Sequence, residues 1–214
     1  AGYTYGALDG TNQGSEDAFV VKYDSYGDKK WTKQLGTGEN DRANGIATDS
    51  NNNVYIAGYT LGDLDGTNQG SKDAFVVKFD SDGTETWRTQ LGTSYHEEAF
   101  GIATDSDNNV YITGITQGAL DGDNQGTNDI FVVKFDTGGT EVWRKQLGTS
   151  GTDCANEIAT DSNNNVYIAG YTYGALDGTN QGSEDAFVVK YDSYGDKKWT
   201  KQLGTGENDR ANGI

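Results

Sequence analysis

The feature that most constrains this chain is a repeat. Val54-Tyr55-Ile56-Ala57-Gly58-Tyr59-Thr60 returns at Val110–Thr116 and at Val166–Thr172, in steps of 56 residues. Trp31, Trp87, Trp143 and Trp199 keep the same step, as do the Gln-Leu-Gly-Thr runs starting at Gln34, Gln90, Gln146 and Gln202. A unit of that length cannot bury its apolar surface alone, so neighbouring units must stack and share a core. The 214 residues read as one repetitive region of repeats 1–56, 57–112 and 113–168 and a partial 169–214.

Within one period, four segments alternate as strands do: 42–49, 54–60, 73–80 and 84–91. Ser50-Asn51-Asn52-Asn53 joins the first two, because Asn tolerates the left-handed backbone of a tight hairpin, and Ser81-Asp82-Gly83 joins the last two. The second and third segments are apolar on both sides, whereas Trp87-Arg88-Thr89-Gln90-Leu91 is polar between its anchors. Such a gradient fits sheets stacked face to face around an axis, not a two-layer sandwich in which every strand has one wet face. The expectation is an all-β, β-propeller fold of four-stranded antiparallel blades, about four in this chain. Its lean first strand (Ala43, Gly45, Ala47) should lie innermost and its Trp-bearing strand outermost.

Asp-Ala-Phe-Val-Val-Lys, Trp-x-x-Gln-Leu-Gly-Thr, Ala-Asn-Gly-Ile-Ala-Thr-Asp and Asn-Val-Tyr-Ile-Ala-Gly-Tyr-Thr together resemble the bacterial beta-propeller repeat known as SBBP, named for seven-bladed propellers. The resemblance runs through the whole chain. It implies an exported or cell-surface bacterial protein and brings no catalytic residue set with it.

Composition narrows the partners. A formal net charge of -17, with 33 acidic side chains against 16 Lys and Arg, argues against nucleic acid and anionic lipid. No apolar run approaches the length of a membrane-spanning helix. Thirteen Tyr and four Trp supply the buriable area that a chain so poor in aliphatics otherwise lacks. One cysteine, Cys154, forms no internal disulfide, and there is no Met even at position 1, so the expectation is a processed product or part of something longer.

No phosphate loop, nucleophile elbow or zinc spacing appears, so the chain is expected not to be an enzyme. Calcium is the one cofactor the loops suggest. Each long loop carries oxygen ligands on a Gly-bearing segment: Asp9, Asn12 and Asp17; Asp65, Asn68 and Asp73; Asp121, Asn124 and Asp129; Asp177, Asn180 and Asp185. Asx turns and capping of backbone amides account for the same residues without a metal. Tyr5, Tyr26, Tyr95, Tyr173 and Tyr194 depart from the blade pattern and are the candidate ligand-binding residues, with glycans as the ligand, whereas the recurring Trp serves blade packing. His96, beside Glu97 and Glu98, is expected to be a solvated loop residue.

Residues 1–46 are identical to 169–214, while adjacent repeats differ, which marks a super-repeat of three blades. In a closed four-bladed arrangement, Arg210–Ile214 would add a first strand to the blade begun by residues 1–4. The preferred expectation is that the residues are a window on a longer array, in one large ring or across subunits, with incomplete terminal blades that invite head-to-tail self-association into rings or filaments.

Overall fold

The computed structural model describes residues 1–214, which form fifteen strands and no helix. The first sheet holds β1 (Gly2–Thr4), β2 (Asp17–Tyr23) and β3 (Lys29–Leu35). The second holds β4 (Asp41–Thr48), β5 (Val54–Thr60), β6 (Asp73–Phe79) and β7 (Glu85–Leu91). The third holds β8 (Glu97–Thr104), β9 (Val110–Thr116), β10 (Asp129–Phe135) and β11 (Glu141–Leu147), and the fourth β12 (Asp153–Thr160), β13 (Val166–Thr172), β14 (Asp185–Tyr191) and β15 (Lys197–Leu203). Within each sheet the strands pair in sequence order as a meander, as the propeller-blade reading requires. The chain divides into two compact units, Ala1–Ala99 and Phe100–Ile214.

Turn chemistry sets the hairpins. Asn52, Asn108 and Asn164 have φ near +60°, and Gly27, Gly83, Gly139 and Gly195 have φ of 85° or 86°. Asp49 fastens the first hairpin: its Oδ1 accepts the N–H groups of Asn51 and Asn53, both at 2.9 Å, and its Oδ2 accepts the Tyr55 hydroxyl at 2.8 Å. Asp105 and Asp161 repeat the arrangement with Tyr111 and Tyr167.

β5, β6, β9 and β10 lie buried almost throughout, whereas β7 and β11 are half-buried. The core of the first unit joins Val20, Val54, Ile56, Phe75 and Val77 from two sheets, with Trp31 packed against it. That of the second joins Ile130, Val132, Ile168, Phe187 and Val189, with Trp143. Burying such a side chain contributes about 1.5–3 kcal/mol. Trp31 is the tie between sheets: its Nε1 donates to Ser81 O at 3.1 Å, and its ring lies where a Cβ on Gly83 would come within 2.8 Å. Trp143 does the same with Ser193 O and Gly195. Trp31 and Trp143 thus perform the packing role expected of the Trp residues, whereas Trp199 is 39% exposed.

The first sheet has three strands. Residues 209–214 form no strand; Ala211 N–H donates to Gly170 O at 3.2 Å, and Asn156 Nδ2 donates to Ala211 O at 2.8 Å. Nor is the first strand crowded in every blade. Ile46 on β4 is 47% exposed, while its equivalents Ile102 and Ile158 are buried. With no fourth strand in the first sheet, Ile46, Val21 and Tyr23 line an open cavity of about 280 Å³.

Candidate functional site

The end of each blade that carries the long loop is built around a buried carboxylate. Asp17, Asp73, Asp129 and Asp185, each the first residue of its strand, are fully buried. Each accepts, through Oδ2, the N–H of the residue four positions earlier at 2.9 Å. The same oxygen accepts Nε2 of Gln34, Gln90, Gln146 or Gln202 at 2.8–2.9 Å. The Gln Oε1 in turn accepts two loop amides, as Gln90 does from Leu64 and Asp65 at 2.8 Å each. The glycine of Gln-Leu-Gly-Thr leaves space for the acid: a Cβ on Gly92 would lie 2.1 Å from Asp73 Oδ1. Thr37 N–H then donates to Asp41 Oδ2 at 2.6 Å, tying the turn to the next sheet. The Gln-Leu-Gly-Thr motif is therefore a clasp for the long loop.

The clasp decides where the calcium candidates go. Asp9, Asp65, Asp121 and Asp177 face solvent. Asn12, Asn68, Asn124 and Asn180 are half-buried and bonded within their own loops, for example Asn12 Nδ2 to Gly14 O at 2.6 Å and Asn68 Oδ1 from Gly70 N–H at 2.9 Å. Asn12 with Asp17, and Asn180 with Asp185, are drawn together, and the group between each pair is a Gln amide, Gln34 or Gln202, which donates to both. No group of three or more His, Cys, Asp or Glu side chains converges. The sequence showed oxygen-rich loops but not that Gln, 17 residues further on, fills the space between the oxygens.

Buried acids give these ends a pH response. Burial pushes the Asp41 and Asp153 carboxyls above their ordinary value, against the hydrogen bonds from Thr that hold them down. The folded chain therefore holds these protons more tightly than the unfolded chain does. The stability they confer is complete below about pH 3.9, the ordinary Asp value, and is lost as the pH rises through the raised folded value. Asp49 and Glu98, which accept several hydrogen bonds, shift downward and act in the opposite sense. Asp41→Asn with Asp153→Asn should therefore gain stability relative to the parent as the pH is raised from about 4 to 7. Urea midpoints across that range check this, and a constant difference would refute it.

The five candidate tyrosines fall at two ends of the strands. Tyr5 and Tyr173, 68% and 42% exposed, and Tyr95, at 59%, lie at the long-loop end. Tyr26 and Tyr194, 91% and 82% exposed, sit on the hairpins at the other end. Tyr173 donates its hydroxyl to Glu184, and the bond to Glu16 raises the Tyr5 hydroxyl pKa. Tyr194, Trp143 and Lys134 line a cavity of about 400 Å³ together with Asp107, Asn164 and Ser193. His96 is half-buried, not solvated, with Nε2 3.3 Å from Glu98 Oε2.

Sequence reading missed the pairs that face each other between sheets. Arg42 donates through Nε and Nη2 to Glu16, and Lys72 Nζ lies 2.7 Å from Glu98. The signal was present as opposite charges in columns 26 residues apart, with the signs exchanged from one repeat to the next.

Among curated proteins, the uncharacterized WD repeat-containing protein L264 of Acanthamoeba polyphaga mimivirus is 27% identical over 227 residues, covering 81% of this chain and 16% of that protein. Regulatory protein FlaEY of Caulobacter vibrioides is 28% identical over 163 residues, covering 68% of this chain and 17% of FlaEY. The chain thus spans less than a fifth of the length of either relative. Among solved structures, the Pseudomonas aeruginosa periplasmic gluconolactonase PpgL aligns with 95% of this chain and 67% of its own, at 11% identity and a TM-score of 0.45. Residues 30–65, 86–120 and 142–176 each match the beta-propeller repeat SBBP, every match running from the last strand of one sheet through the second strand of the next. With its strands arranged as antiparallel meanders and three such matches along it, the chain belongs to the SBBP beta-propeller repeat family.

Proposed function

We propose that this chain is a non-enzymatic scaffold of propeller blades, exported or displayed at a bacterial cell surface, whose partner is another copy of itself. The observation that carries the reading is a matched pair of segments. Asp209–Ile214 repeats Asp41–Ile46, the segment that pairs in β4 with Thr60, Tyr59 and Gly58, and β1 carries the same Gly-Tyr-Thr beside an edge that no strand covers. The register of β4 on β5 would set Asp209 opposite Thr4 and Arg210 opposite Tyr3 of the receiving copy. Sedimentation of the full chain should then show species heavier than 23.0 kDa that grow with concentration. Ala211→Pro, which removes one N–H and disfavours the strand, should return them to monomer. A single 23.0 kDa species at every concentration would end this reading.

A second reading, glycan binding, is favoured by the cavity beside Trp143 and Tyr194, where aromatic rings meet the Asp107 carboxylate, the Asn164 amide and the Lys134 ammonium group. Neutral oligosaccharides quenching Trp fluorescence in the parent but not in Tyr194→Ala, with mass unchanged, would replace self-association with this function.

A further inference from the structure

Each sheet is stapled to the segment that follows it by the same backbone contact. Asp41 N–H donates to Glu16 O at 2.7 Å, Glu97 to Lys72 at 2.9 Å, Asp153 to Asn128 at 2.9 Å and Asp209 to Glu184 at 2.7 Å. Since the staple is the same at all four junctions, the backbone cannot tell one neighbour from another. The side chains beside it can. Glu16 faces Arg42; Lys72 faces Glu98 with the signs exchanged; Asn128 and Cys154 hold these positions without charge; Glu184 faces Arg210 as at the first junction.

The support beneath each pair varies with it. Every cation rests on a Tyr of the sheet N-terminal to the junction: Arg42 lies 4.1 Å from the Tyr3 ring centre, Lys72 3.7 Å from Tyr59 and Arg210 4.3 Å from Tyr171. At the uncharged junction that position is Ile115. Glu16 and Glu184 are almost fully buried, so an unmatched partner would leave a buried charge without compensation.

We propose that these pairs are a recognition code by which each blade selects its neighbour among nearly identical repeats. A slip by one blade sets Glu16 against Glu98, like charge on like charge, and Lys72 against Cys154, which leaves the cation without its acid. A slip by three blades restores Glu opposite Arg, so the code accepts another repeat of this kind in steps of three.

The test erases the code while keeping good pairs. Lys72→Glu with Glu98→Arg in the full chain makes the second junction the same type as the first. After refolding from urea, chromatography with light scattering should show a share of swapped and mis-stacked species at least about fivefold above the parent. The unfolding midpoint of the native fraction should stay close to that of the parent. Lys72→Glu alone should lower the midpoint, and adding Glu98→Arg should recover it. Refolding as clean as the parent's, or no recovery by Glu98→Arg, overturns the code. Should the second-junction variant not fold, Glu16→Lys with Arg42→Glu converts the first junction to the second type and faces the same two outcomes.

Discussion

Gly58→Ala is expected to destabilise the first unit by at least about 3 kcal/mol, at the top of the usual range for overpacking. A Cβ at Gly58 would lie 1.8 Å from Arg42 O and 3.0 Å from the Ala43 Cα, both backbone atoms that no rotamer change can clear. The crowding comes from the bulge on β4, where the register shifts between Ala43 and Gly45 so that Asn44 is extra. The bulge sends Asn44 Nδ2 to Ala99 O, 2.9 Å away, on the first strand of the next sheet. Moving β4 outward to admit a methyl group would pull on that link as well as on the Arg42–Glu16 pair. Gly170 is in the same position, 1.8 Å from Cys154 O, and its alanine variant should behave alike in the second unit. Gly38, whose Cβ would meet nothing within 4 Å, is the control and should stay within about 0.5 kcal/mol of the parent. Urea denaturation measures all three, and a Gly58→Ala loss no larger than that of the control would show that the bulge yields.

Asp73→Ala should also cost about 3 kcal/mol, by a different route. The substitution leaves the Gln69 N–H and Gln90 Nε2 without their carboxylate, and a buried donor without a partner costs about 1–3 kcal/mol. The damage should spread, because Gln90 also holds the amides of Leu64 and Asp65 and the carbonyl of Gly62. Hydrogen exchange should therefore quicken across residues 62–70 while the hairpin held by Asp49 keeps its protection. Asp73→Asn keeps one acceptor oxygen at the clasp and should lose less than half as much. Protection of Leu64 and Asp65 unchanged in Asp73→Ala would mean that the loop does not depend on its clasp.

Both effects depend on contacts that sequence patterns register only indirectly. Alternation and turn residues located β5 and the Asn52 and Gly83 turns, because strand periodicity and positive φ are local properties written in a few adjacent residues. Recurrence of Trp at a fixed step likewise announced packing between blades, but not that Gly83 is the residue Trp31 packs on. The oxygen-rich loops pointed toward metal, since a sequence lists carboxylates without saying which donor lies between them. Gln34 occupies that place for Asn12 and Asp17. Tyr5 and Tyr26 looked alike as departures from the repeat, yet one lies beside the buried Glu16 and the other on an exposed hairpin.

The 56-residue step, the antiparallel blade and its turns were determined by the sequence alone, because each follows from local propensity and from which faces must be apolar. Which side chain meets which across a junction was decided only by the tertiary structure. Glu16 and Arg42 are brought together by the stacking of separate sheets, and no periodicity within one strand encodes a partner on another blade.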